Sequence, residues 1–278
     1  ALIGTLQASY TKSEYLGKTT RNILEFESLL GVSMTGMCSR PSIAFNKDLL
    51  KDGVDVIEQE NKRIAEIIEI NSGSRLTCIK PSGTASIIAG GVSSGIHAYR
   101  ADKYIRRVTF PRNHDLYIQI KSSLPFACEE PDYNKNIAFV SFALSAPAGS
   151  ITRQKDTAIE HLKRVELVIK SWIFPGSKNT RVDGLYHNVS NTCTIKENEW
   201  EDVKEFVWSS REYIRGAAFM KEFAEDFPYL PLTTVNNDKL LNRWNQLNNL
   251  DWSIIDYNYT GELVIDSACS GPKCDLTF

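Results

Sequence analysis

Three short segments carry residues whose types and spacing could do chemistry. Four residues from the C-terminus lies Cys269-Ser-Gly-Pro-Lys-Cys274. Two thiols separated by four residues that include Gly271 and Pro272 can reach disulfide distance without straining a helix or a strand. A cation beside a thiol, as Lys273 is beside Cys274, favours the reactive thiolate. The competing reading is a pair of incidental cysteines or half of a metal site, but a tetrahedral site needs about four ligands, and no histidine or third cysteine lies nearby. The second segment is Lys80-Pro-Ser-Gly-Thr-Ala-Ser86. A turn that opens a helix presents backbone amides with no internal partner, at the end of the helix that carries partial positive charge. Gly83 allows an anion close to the backbone, and Ser82, Thr84 and Ser86 add hydroxyls, so the segment can cradle a phosphate. It lacks the Gly-Lys-Ser/Thr ending of a Walker loop, and the same residues also make an ordinary N-cap and turn. The third segment is Asn191-Thr-Cys193-Thr-Ile195, a thiol and a carboxamide with Ile195 two residues beyond the cysteine.

These segments need a scaffold. Asp52 to Ile70 reads as an amphipathic helix, with Val54, Ile57, Ile64, Ile67 and Ile68 near helical spacing. Arg75 to Lys80 reads as a strand, Pro81 breaks it, and Ala85 to Ala89 opens a short helix. Ile137 to Leu144 reads as a strand ended by Pro147 and Gly149. Thr157 to Trp172 is a helix with Leu162, Val165, Val168, Ile169 and Trp172 on one face, stopped by Pro175-Gly176. His187 to Ile195 alternates like a strand, with Val189, Asn191 and Cys193 on one side. Glu199 to Tyr213 is a further helix with Trp200, Val203, Phe206 and Val207 inward. Strands alternating with helices predict an α/β protein with a largely parallel sheet. From about Asn258 the periodicity fades into Gly, Ser and Pro, which predicts a mobile tail over 258–278.

Composition narrows the class. The chain has 278 residues, 42% of them hydrophobic, enough to bury a real core. A net charge of -2 gives no broad attraction toward nucleic acid or an anionic membrane. No apolar run approaches the roughly 20 residues of a membrane span. Ala1 to Leu6 has no basic lead or cleavage pattern, so no secretory signal is expected, and a start without methionine suggests a processed or partial product. Cys38, Cys78, Cys128 and Cys193 are scattered singly and read as small buried hydrophobes in a reducing, cytoplasmic setting.

The phosphate-turn segment continues as Ile87-Ile-Ala-Gly-Gly-Val-Ser-Ser-Gly-Ile-His97, followed by Tyr104-Ile-Arg-Arg-Val108. This run resembles the substrate-phosphate region of ribonucleotide reductases, in particular the monomeric cobalamin-dependent triphosphate reductases. Gly4-Thr-Leu-Gln-Ala-Ser9, Leu29-Leu-Gly-Val-Ser-Met-Thr-Gly36 and Tyr186-His-Asn-Val-Ser-Asn191 resemble the same family, in the family's order, as does the terminal cysteine pair. The resemblance implies the C-terminal half of a ten-stranded α/β barrel over 1–257, with the tail beyond it. It implies that Ser82, Gly83, Thr84, Ala85 and Ser86 hold the phosphates of a ribonucleotide substrate. It also implies that Cys269 and Cys274 are a redox shuttle, re-reduced by a thioredoxin-like protein. Adenosylcobalamin is the implied cofactor and no metal ion is implied. The reaction implied is thiyl-radical removal of the 2′-hydroxyl from a ribonucleotide.

One departure matters. The family's radical cysteine sits in an Asn-x-Cys-x-Glu loop, whereas this chain has Ile195 at the Glu position. Isoleucine cannot take a proton, and the residues around Cys193 match a later family segment, so Cys193 reads as a strand cysteine. The radical loop and the active-site cysteine pair are then expected on a separate chain or missing segment carrying the N-terminal half. His97 reads as a turn histidine. On a strand, Arg106 and Arg107 point to opposite faces, so at most one meets the substrate. Asn188 and Ser190 are candidates to reach the site. Alternative readings are a fragment of a diferric-type large subunit, which shares the turn and the terminal Cys-x4-Cys, and an inactive nucleotide-binding module.

Overall fold

The computed structural model describes residues 1–11, 15–180, 184–222 and 229–256. Its helices, in chain order, are α1 (Leu2–Ala8), α2 (Lys18–Glu27), α3 (Pro41–Ala44), α4 (Lys47–Ile67), α5 (Ala85–Ile88), α6 (Asp115–Ser123), α7 (Ala158–Val168), α8 (Trp200–Ser209) and α9 (Asp238–Asn248). The strands are β1 (Lys103–Pro111), β2 (Cys128–Glu129), β3 (Ile137–Ser145), β4 (Thr192–Ile195), β5 (Ala218–Lys221) and β6 (Leu232–Thr234).

Four parallel segments form an arc. Val32 bridges Thr77 and Ile79 bridges Val189, both in parallel sense, while β4 pairs with β5 in parallel. Hydrogen-bond parity fixes the order. Cys78 N donates to Val32 O, while Ile79 N donates to Asn188 O, so successive residues of this segment serve opposite neighbours. Likewise Ser190 N donates to Ile79 O, and Ala218 N donates to Asn191 O. The segment at 75–80 predicted as a strand is therefore central in the arc, although only Thr77 and Ile79 make ladder contacts. Among the described residues the arc is open, since β5 has β4 as its one strand partner.

The prediction of a largely parallel sheet holds for this arc but not for the larger sheet. That sheet is antiparallel throughout, in the order β2-β3-β1-β6. β1 and β3 pair along their whole length, from Lys103↔Ser145 to Pro111↔Ile137. The strand Ile137 to Leu144 was legible from its apolar run, but a run of this kind does not state its partner's direction.

The arc rests on α4 and α7. Asn46 caps α4 by accepting from the amides of Asp48 and Leu49, at 3.0 and 3.2 Å. Leu50, Val54, Ile57, Asn61 and Ile64 form its buried stripe. Ile67, expected on that stripe, faces solvent, and the helix ends before Ile68. Thr157 and Glu160 make a capping box at the start of α7. The last turns of this helix widen into a π-helical turn, Ile169–Ile173, which carries Trp172 under the arc. There the Trp172 indole N–H donates to Cys78 O at 3.2 Å, and the Thr77 hydroxyl donates to Trp172 O at 2.6 Å. Leu76, Ile79 and Val189 of the arc pack in one core with Val54, Val165, Val168, Ile169 and Trp172. A second core lies between the antiparallel sheet and helices α6 and α9, around Tyr117, Val140 and Trp244. A third joins α7, α8 and β4 through Leu162, Cys193, Ile195 and Val203. Trp200, expected inward, lies at the solvent face of α8 instead. No helix among the described residues is long and apolar enough to cross a membrane.

Candidate functional site

Ligands of parallel sheets sit beyond the carboxyl ends of the strands, where the chain turns away. The segment 75–80 leaves the arc there and enters the turn Pro81–Ser86. The turn is tied down on two sides. Ser82 Oγ lies 2.5 Å from Thr35 Oγ1, and Ser82 N donates to Ser94 Oγ at 3.0 Å. Gly95 closes the loop against the strand end with a φ of +56°, its Cα so near Lys80 that a Cβ would lie 2.8 Å from Lys80 O. Its N–H donates to Thr35 Oγ1 at 3.0 Å. Thr35 thus organises both edges of the turn.

Within the turn, the amides of Gly83, Thr84 and Ala85 have no acceptor among the described residues. A Cβ at Gly83 would meet nothing within 4 Å, so no neighbour in the chain requires a glycine here. The hydroxyls differ from the expectation. Ser86 is buried and donates back to the carbonyls of Ser82 and Gly83, and Ser82 is engaged with Thr35, so Thr84 alone keeps an exposed, unbound hydroxyl. α5 is one turn long and its dipole is correspondingly small. Anion binding by this turn would rest on the three amides more than on the side chains.

The turn borders a cleft of about 750 Å³, whose wall also includes Gly90, Ser93, His97, Arg100, Arg106 and Arg153. His97 is positioned by both ring nitrogens. Nδ1 lies 2.9 Å from Ser94 O, and Nε2 accepts from Thr192 N at 2.9 Å. Burial lowers its pKa, which keeps the ring neutral. A histidine so occupied is a brace between the turn and β4, in keeping with the turn-histidine reading. The arginine pair divides as strand geometry requires. Arg107 points away, to Glu129 at 2.9 Å and to Thr233 and Leu230 O. Arg106 lines the cleft. Asn188 and Ser190 do not line it, and their strand reaches the cleft through Thr192. Arg100 and Arg153 had no sequence signal: they are isolated basic residues in loops, brought to the cleft only by tertiary packing.

The cysteines sort by burial. Cys193 is fully buried and packs against α7, and its pKa is pushed up to about 12 by burial, then by Glu199 and Asp156. A thiol held protonated in an apolar core is inert, as the strand reading of Cys193 requires. Cys38 is also fully buried, with its pKa raised to about 11 mainly by burial. Cys78 and Cys128 are half-buried. Cys269 and Cys274 lie outside the described residues. Among the described residues, no group of three His, Cys, Asp or Glu side chains could hold a metal ion.

No family model matches the chain. It is similar to the adenosylcobalamin-dependent ribonucleoside-triphosphate reductase of Euglena gracilis, 23% identical over 239 residues, which covers 82% of this chain and 30% of that protein. A probable reductase of the same name from Dictyostelium discoideum is 26% identical over 172 residues, covering 59% of this chain and 22% of that one. The Lactobacillus helveticus reductase is 26% identical over 174 residues, covering 51% and 23%. Among solved structures, a B12-dependent (class II) ribonucleotide reductase superposes with a TM-score of 0.73 at 16% identity, covering 91% of this chain and 38% of that one. The resemblance read from the motifs is therefore borne out in sequence and in fold. The chain spans less than a third of the length of the curated relatives it matches.

Proposed function

We propose that this chain is the C-terminal part of an adenosylcobalamin-dependent ribonucleotide reductase, supplying the substrate-phosphate turn and a dithiol shuttle. The observation that carries the reading is the turn itself. Three consecutive amides, Gly83 to Ala85, have no acceptor among the described residues at the carboxyl end of a parallel segment, beside a cleft with arginines in its wall. In this reading, the turn Ser82, Gly83, Thr84, Ala85 and Ser86 holds the phosphates of a ribonucleotide through the amides of Gly83, Thr84 and Ala85 and the Thr84 hydroxyl, while Ser82 and Ser86 shape the turn. That contact fixes the ribose over the cleft.

The cofactor in the relatives' names would supply the radical when bound. Among the described residues His97 is the imidazole lining the cleft, and both of its ring nitrogens are hydrogen-bonded, so these residues offer no free imidazole to the cofactor's metal. Corrin contacts, the radical cysteine and the catalytic carboxylate fall to a companion carrying the N-terminal half. An open surface supports that dependence. β5 is exposed at all four positions, and beside it Trp200, Val203, Val207, Trp208 and Phe219 line an apolar groove. Such an edge with such a groove is where further chain would pack. In the tail, Cys269 and Cys274 pass two electrons and two protons to the oxidised active-site pair. They become a disulfide that a thioredoxin-like protein reduces.

The test is turnover with the companion chain. Cys269→Ser with Cys274→Ser should abolish thioredoxin-supported deoxyribonucleotide formation and spare turnover driven by a small dithiol. Equal loss with both reductants, or no loss with either, contradicts the shuttle.

A further inference from the structure

The cleft beside the phosphate turn has a second wall that the phosphate reading does not use. Arg100, Arg106 and Arg153 all line it, and among the described residues no aspartate or glutamate does. For a chain of net charge -2, three guanidinium groups in one carboxylate-free cleft is a local concentration of positive charge. Two of the three are not spent on structure. Among the described residues, Arg106 and Arg153 make no side-chain hydrogen bond or ion pair, and Arg106 Nε is buried without a partner. Their neighbours behave differently. Arg107 is bound to Glu129, Arg112 to Glu130 and Arg164 to Asp156. Half-burying a guanidinium without an acceptor costs free energy unless an acceptor arrives.

The surroundings say what kind of acceptor. Burial and the charge of Arg100 both weigh against the Arg153 cation, and Glu222 only partly offsets them. Asp156 and Glu222 sit with Arg153 in a small adjoining cavity, not in the cleft. An anion entering the cleft would relieve this repulsion. Guanidinium forks match phosphate oxygens with paired donors, which makes arginine suited to a phosphoryl group. Gly83 of the turn lines the same cleft as the three arginines, so an extended polyanion bound at the turn would lie within the same cavity.

We infer that Arg106 and Arg153, with Arg100, bind the terminal phosphoryl group of a polyphosphate chain whose inner phosphates lie on the Gly83–Ala85 turn. The inference deepens the phosphate reading of that turn and rests on it. It makes the arginine wall the element that selects a triphosphate over a diphosphate.

The test is equilibrium titration of the full chain with inorganic tripolyphosphate and with pyrophosphate, at several salt concentrations. Arg106→Gln and Arg153→Gln should each weaken tripolyphosphate about tenfold or more, as loss of a charge-assisted pair would, and leave pyrophosphate nearly unchanged. Arg153→Lys should fall between, because it keeps the charge and loses the fork. Circular-dichroism melts of each variant check folding. Gly83→Ala should weaken both anions. If the arginine variants bind both anions like the unmodified chain, or lose both equally, the inference fails while the turn stands. If they lose tripolyphosphate alone while Gly83→Ala changes neither, the arginines hold an anion away from the turn, and both the turn reading and the inference that rests on it fail. If neither anion binds at millimolar concentration, the inference is overturned.

Discussion

The most discriminating perturbation is a single methyl group at two glycines. Gly83 has an ordinary backbone φ, and an added Cβ meets nothing within 4 Å. Alanine there should reduce the freedom of the unfolded chain without straining the folded one. That is worth about 0.4–1 kcal/mol of stability, or a rise of roughly 1–4 °C in Tm. In the phosphate reading, that methyl would fill open space at the turn that an incoming phosphate uses. Losing one charge-assisted amide bond costs about 1.5–3 kcal/mol, so polyphosphate affinity should fall roughly 10- to 100-fold. Gly95 reverses the pattern. Its φ is +56°, and its Cβ would lie 2.8 Å from Lys80 O and 3.3 Å from Pro81 Cα, both rigid backbone atoms. Left-handed strain of about 1–2 kcal/mol and overpacking of about 1–3 kcal/mol add to about 3 kcal/mol, or roughly 6–12 °C in Tm. Melting curves and anion titration on the two variants are the assay. The reasoning is refuted if Gly83→Ala lowers Tm by several degrees, or if it binds tripolyphosphate as well as the unmodified chain.

Three further outcomes follow from the cores. His161 is buried beside Asn191, and its pKa is lowered to about 4, first by burial and then by Arg164. Its folded pKa lies below the unfolded value of about 6.5, so its contribution is complete above pH 6.5 and is lost as pH falls toward 4. The loss is on the order of 3 kcal/mol, and His161→Gln should flatten urea-unfolding stability across that window; an unchanged slope contradicts the assignment. Trp172→Ala should cost about 3–5 kcal/mol in the same assay, because Trp172 packs beneath the arc and donates to Cys78 O; a cost below 1 kcal/mol would mean the arc does not depend on it. Cys193, with its pKa pushed up to about 12, should resist iodoacetamide at pH 8 in the folded chain and react in urea, as read by mass spectrometry; rapid native labelling would falsify its burial.

Much of this is legible in the amino-acid sequence. The helix stripes of α4 and α7 followed from apolar spacing, because a buried helix face must repeat near 3.6 residues. The turn at Pro81 was legible because proline and glycine punctuate a chain locally. The antiparallel pairing of β1 with β3 was not, since pairing direction is set by tertiary contacts that an apolar run does not encode. The π-helical turn at Ile169–Ile173 was hidden for a related reason: Leu162, Val165, Val168, Ile169 and Trp172 fit one helical face whether or not the last turn widens. In the site, Ser82 and Ser86 were nominated as donors by residue type, yet their hydroxyls serve the turn itself. Arg153 lies 69 residues beyond Thr84 in a loop and reaches the cleft only through the fold.

The central claim is tested most directly by purifying the chain from its native source under mild conditions and identifying what travels with it. The preparation is then assayed for ribonucleotide reduction with and without adenosylcobalamin. The account predicts a companion bearing an Asn-x-Cys-x-Glu loop and turnover that requires adenosylcobalamin. Turnover without the cofactor would contradict the cobalamin assignment, and a preparation with no companion and no turnover would contradict the catalytic reading of this chain.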